Sequence, residues 1–114
     1  MTRIAPFALL ALAAVAGAEV PRSVKDALAE ADAGIARIVA TPVEKRSWET
    51  TFGAYDDVTD TLYTKVSTTT FLQHVHPDEK VRQDSRDAEE AVANWNIALG
   101  KNEALYRALS GPKG

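Results

Sequence analysis

The sequence predicts an all-α protein built on an antiparallel helical hairpin between Ser47 and Leu99, with an additional N-terminal helix, a short C-terminal helix and a preceding signal-peptide helix. The first observation behind this is periodicity. Trp48, Phe52, Tyr55, Thr59, Leu62 and Val66 alternate spacings of four and three, and so do Val81, Ser85, Ala88, Val92, Trp95 and Leu99, which puts each set on one helical stripe. The second is the brevity of the connection: only the aromatic, histidine-bearing run Phe71-Leu72-Gln73-His74-Val75-His76-Pro77-Asp78 lies between them. Helices joined so closely are expected to lie antiparallel and bury their stripes against each other. The third is that no segment alternates apolar and polar residues as a strand does, and no repeat or low-complexity block interrupts the chain.

Taken in order, the chain opens with Met1-Thr2-Arg3, a brief positive start, then an apolar run from Ile4 to Ala16 broken only by Pro6, then the small-x-small site Ala16-Gly17-Ala18 before Glu19. This is the pattern of a secretory signal peptide. The run is short for a membrane span, which takes roughly 20 residues. A buried N-terminal helix and an uncleaved anchor are the alternative readings. On the signal reading, residues 1–18 are removed, residues 19–114 form the helical region, the destination is the periplasm or the outside, and no membrane attachment remains.

Ser23 has the character of a helix N-cap, with Asp26 three residues on. Val24, Leu28, Ala31, Ile35 and Ile38 mark the apolar face of the helix that follows, with Ala27 and Val39 beside it. Gly34 is expected to cost this helix about 1 kcal/mol relative to Ala. Thr41-Pro42 should end it, because a proline disfavours helical backbone in the residue before it. Val43 to Arg46 is a charged connector, Ser47 a cap for the first hairpin helix, and Ser67-Thr68-Thr69-Thr70 a weak helix former expected to fray. Pro77 suits a first-turn position, and Asp78 and Glu79 suit a helix start, where carboxylates oppose the positive end of the dipole. Gly100 should break or kink the second hairpin helix. Asn102 can cap a last helix from Glu103 to Leu109, with Leu105, Tyr106 and Leu109 as its apolar side.

A chain of 114 residues fits one small domain. Cysteine is absent, so there is neither a disulfide framework nor a thiolate metal site. The formal net charge of -3 argues against nucleic acid, which needs a basic stripe.

Few residues suggest chemistry. His74-x-His76 is the one histidine pair, and two imidazoles at that spacing can bind a metal from a turn, but no third ligand stands nearby. The structural reading has one histidine filling the helix–helix turn and the other facing water. Asp56, Asp57 and Asp60 fall off the apolar stripe, so they read as a solvated face rather than an acid–base pair. Asp78 with Arg82 and Arg86 with Glu90 are spaced as helical ion pairs worth about 0.2–0.5 kcal/mol each. Trp48 and Trp95 read as apolar packing anchors, or as part of a peptide-contacting surface. No position is assigned as catalytic, cofactor-binding or metal-ligating.

The run from Trp48 to Leu109 resembles the N-terminal helical region of the thimet oligopeptidase family, zinc metallopeptidases that include oligopeptidase A and the bacterial peptidyl-dipeptidases. The matching features are the W-E-T-T-F opening, Tyr55-Asp56-Asp57-Val58, the turn from Phe71 to Asp78, Val81-Arg82, Ala88-Glu89 and Glu103-Ala104-Leu105-Tyr106-Arg107-Ala108-Leu109. The turn is the most specific of these. The resemblance implies a non-catalytic helical wall of a peptide channel. It also implies a family activity, hydrolysis of short peptides by zinc-activated water, that rests on an H-E-x-x-H helix and a downstream glutamate. That motif has no counterpart in these 114 residues, whose two histidines are too close together to form it. Zinc therefore belongs to the full-length relatives, and no cofactor is expected in this chain. The chain reads as a truncated member or the leading piece of a split gene, inactive by itself. Its expected partners are short peptides or the missing catalytic domain, and one face should stay apolar where that domain would dock. An independent helical module that binds a peptide or a partner helix, and a remnant without present function, are the competing readings.

Overall fold

The computed structural model describes residues 20–111, which are all-α: among them there is no strand. Helix α1 spans Arg22–Ala40, α2 Ala54–Phe71, α3 Glu79–Gly100 and α4 Glu103–Ser110. A 3-10 turn, Val43–Lys45, and a π-helical turn, Glu49–Gly53, lead from α1 into α2, and a second 3-10 turn, Leu72–His74, leads out of it. The signal peptide expected over residues 1–18 lies outside the described residues.

Two of the expected caps form. Asn102 accepts from the Leu105 amide at 2.9 Å and starts α4. Ser47 Oγ accepts from the Thr50 amide at 3.2 Å while Thr50 Oγ1 accepts from the Ser47 amide at 2.8 Å. That reciprocal pair is a capping box with threonine in the place usually held by glutamate. At the start of α1 the expectation fails. Pro21, not Ser23, is the N-cap, and its carbonyl accepts from the amides of Val24 and Lys25 at 3.0 and 3.1 Å. No side chain caps α1, which begins two residues earlier than Ser23 would have set it.

The end of α1 follows the proline rule, with Thr41 driven to extended backbone (ψ 124°) before Pro42. The connector has a role its charge alone did not reveal. Arg46 turns back to donate from Nε to the Thr41 carbonyl at 3.0 Å and from Nη2 to that of Val39 at 3.4 Å, so a guanidinium satisfies carbonyls left open by the helix end.

The most extensive helix pair is α1 with α2, not the hairpin partners α2 and α3. Helix α2 packs chiefly on α1, whereas α3 lies more against α2 than against α1. Val24, Ala27 and Ala31 of α1, Leu62 and Val66 of α2, and Ala88 and Val92 of α3 make one core cluster. A second joins Ile35 and Ile38 of α1 to Leu105 and Ala108 of α4. Val58 and Trp95 pack against both clusters. The close approach of α1 to α2 depends on Gly34: a Cβ built there would lie 2.5 Å from Val58 Cγ2. Glu30 and Lys65 also meet across this pair, at 2.5 Å, as an exposed ion pair of the kind worth about 0–1 kcal/mol.

Three other expectations are corrected. Trp48 and Phe52 do not reach the core: Trp48 is 62% exposed, while Thr51 is fully buried. The π-turn is the reason. The Gly53 amide bonds to the Trp48 carbonyl, five residues back, at 2.8 Å. The extra residue in that turn rotates what precedes it by about one helical step, roughly 100°. The threonine run does not fray but stays in α2 to Phe71. Ser67 and Thr70 hydroxyls donate to the carbonyls of Thr64 and Ser67 at 3.3 and 3.1 Å, which ties them to the helix they were expected to disturb. Tyr106, expected on the apolar side of α4, is 71% exposed; the expected Leu105 is buried there, with Ala108 rather than Tyr106 beside it.

Replacing Gly34 by alanine discriminates helix propensity from packing. Propensity alone would make G34A stabilising by about 1 kcal/mol. The α1–α2 contact makes it destabilising, by about 1–3 kcal/mol as for other overpacked sites. In chemical denaturation G34A should unfold more easily than the native chain, and V58A in the same background should restore part of the loss.

Candidate functional site

The turn between α2 and α3 holds the densest polar network. Ser85, 1% exposed on α3, accepts the Gln73 amide through Oγ at 2.9 Å and so fastens the 3-10 turn to the helix that follows. The Gln73 amide nitrogen Nε2 donates to the Thr70 carbonyl at 2.9 Å and to the Glu89 carboxylate. Asp78 is the N-cap of α3, its Oδ1 accepting from the Lys80 amide at 2.9 Å. Pro77 therefore stands before the cap rather than in the first turn. Arg82 reaches back to the carbonyls of His76 and Pro77 at 2.8 and 2.9 Å. Every buried side-chain nitrogen and oxygen among the described residues has a partner.

The two histidines have different surroundings. His76 is half-buried in the turn and its Nδ1 accepts from the Asp78 amide at 3.0 Å. His74 is exposed, its ring 5.9 Å from that of Phe71. One ring nitrogen of His76 is thus committed to the backbone. Among the described residues no three His, Asp or Glu side chains gather as metal ligands.

The expected ion pairs rearrange. Glu79, not Asp78 or Glu90, binds the arginines: Arg82 contacts its Oε1 and Arg86 its Oε2 at 3.0 Å. Asp78 is occupied by capping. The hydrogen bond from Arg82, then that from Arg86, holds the Glu79 carboxyl below the usual glutamate range. Asp56, Asp57 and Asp60 are all exposed, as a solvated face requires.

Two grooves remain. One, of about 420 Å³, runs between α1, α3 and the start of α4 and is lined by Asp32, Ile35, Val39, Trp95 and Leu99. At its wall the Trp95 indole N–H donates to Asp32 at 2.6 Å, which makes Trp95 a packing anchor of the fold. The other, of about 480 Å³, lies between α2 and α3 and is lined by Tyr63, Val66, Phe71, His74, Val92 and Ala93. Phe71 and Tyr63 are exposed there, with the Tyr63 hydroxyl bonded to Asn96 Oδ1 at 3.0 Å. Elsewhere Val43, Trp48, Phe52 and Tyr106 are large apolar side chains left in solvent near the α1–α2 connection and on α4. Among the described residues no helix is long and apolar enough to cross a membrane.

Over 77 residues, 68% of this chain, the sequence is 35% identical to the thimet-like oligopeptidase of Dictyostelium discoideum. The chain spans 11% of that protein's length. No family model and no solved structure matches it. The similarity agrees in part with the resemblance read from the turn and its flanking helices.

Two measurements check the turn. S85A leaves the Gln73 amide without its buried acceptor and should cost about 1–3 kcal/mol of stability, read from urea unfolding. In an NMR titration the Glu79 carboxyl should protonate below the usual glutamate range. Because its value is lowered in the folded state, the stability it contributes is present above that range and fades as pH falls through the lowered value. E79Q should remove this segment of the pH dependence.

Proposed function

We propose that the chain is the non-catalytic leading helical region of an exported zinc-dependent oligopeptidase of the thimet oligopeptidase type. The observation that carries this reading is the 35% identity to a thimet-like oligopeptidase over 77 residues, joined to the motif-bearing turn. The exposed apolar side chains on α2, α4 and the α1–α2 connection supply faces on which a catalytic domain or a short peptide could rest. On this reading residues 1–18 direct export to the periplasm or beyond, and the zinc chemistry belongs to a domain that carries H-E-x-x-H. A stand-alone peptide-binding module is the second reading, favoured by the groove between α2 and α3 with its exposed Phe71 and Tyr63.

The two separate in the gene. An in-frame H-E-x-x-H sequence downstream of codon 114 is expected on the first reading, and a stop codon with no such sequence beyond it overturns it. Purified chain of 114 residues incubated with zinc and a quenched fluorescent peptide should give no cleavage above the buffer rate. Chelator-sensitive cleavage would show that the chain holds chemistry this reading denies it.

A further inference from the structure

His76, Asp78 and Lys80 form two successive turns of one kind. In each, a side chain accepts the backbone N–H two residues ahead: His76 Nδ1 from the Asp78 amide at 3.0 Å, then Asp78 Oδ1 from the Lys80 amide at 2.9 Å. Aspartate and asparagine ordinarily make this turn. An imidazole can make the first one only while Nδ1 carries no proton, with the ring neutral and its hydrogen on Nε2. We infer that His76 is an acid-released fastener of the α2–α3 turn: protonation of its ring abolishes the bond to the Asp78 amide and loosens the start of α3.

The surroundings favour release rather than compensation. The charged or titratable groups nearest His76 along the chain are His74 and Asp78 in the turn and Glu79, Lys80 and Arg82 at the opening of α3. Each carboxylate is already committed, Asp78 to the Lys80 amide and Glu79 to Arg82 and Arg86. Lys80 pairs with Asp84 at 2.9 Å. The Arg82 guanidinium sits on the His76 carbonyl itself. His74, exposed and in contact with Phe71, makes no backbone bond of this type.

The test is amide exchange with ring-nitrogen NMR on the whole chain, between about pH 8 and about pH 5, the interval over which an ordinary imidazole takes up its proton. At the upper end Nδ1 of His76 should carry the shift of an unprotonated ring nitrogen. Protection of the Asp78 amide, corrected for intrinsic exchange, should fall by about two- to tenfold in step with the His76 ring, the effect of losing one hydrogen bond. H76N supplies an acceptor that does not titrate, so it should keep the protection at both ends, and H74N should leave the native profile unchanged. Protection that is constant through the His76 titration, or that falls equally in H76N, overturns the inference. Should H76N fail to fold, a neutral His76 with its proton on Nδ1 in the native chain overturns it alone.

Discussion

The approach of α1 to α2 at Gly34 is the constraint on which the rest depends. Without a side chain at that position Val58 can sit against the α1 backbone, and the two helices close along their length. Once they are close, Val24, Ala27 and Ala31 face Leu62 and Val66, and α3 can lay Ala88 and Val92 across both. The small residues of α1 serve the same geometry: alanines at 27 and 31 let the neighbouring backbones draw near where leucines would hold them apart. The position that helix propensity marks as weakest is therefore the one that lets the bundle pack, an instance of tertiary contact overriding local preference.

α4 is joined to this arrangement through the second cluster rather than left as an appendage. Ile35 and Ile38 belong to the same helix that carries the first cluster, and Trp95 and Val58 touch both. The bond from the Trp95 indole to Asp32 fixes the ring that spans them. Loosening α4 thus exposes α1 at its C-terminal half, where Arg46 also closes the helix by binding its last carbonyls.

Much of this was legible in the residues. Periodicity gave the helices; Pro42 gave the end of α1, Asn102 the start of α4, and Ser47 a cap ahead of α2. What escaped has specific causes. The pairing of α1 with α2 turns on a glycine whose value lies in a neighbour's position, which a one-dimensional pattern does not contain. The π-turn at residues 49–53 shifts register by one residue, so the spacing that correctly links Leu62 and Val66 points Trp48 and Phe52 to the wrong side. Arg46 and Glu79 were visible as charges, but their partners are chosen by the path of the backbone. In the turn one histidine was expected to fill the helix–helix connection, but not that His76 would accept a backbone amide there. A cue existed there: a side-chain acceptor two residues before a capping aspartate is the spacing of an Asx-type turn.

The π-turn has a further consequence. It lies outside both core clusters, and its ring contact, Trp48 over Gly53, is local. Dropping one residue from it would restore ordinary winding, swing the preceding indole by about a quarter-turn and change the setting of the buried Thr51. Chain length at this point works as a dial on which aromatic the surface presents, so relatives that differ by a single-residue gap here would offer different faces to whatever meets them.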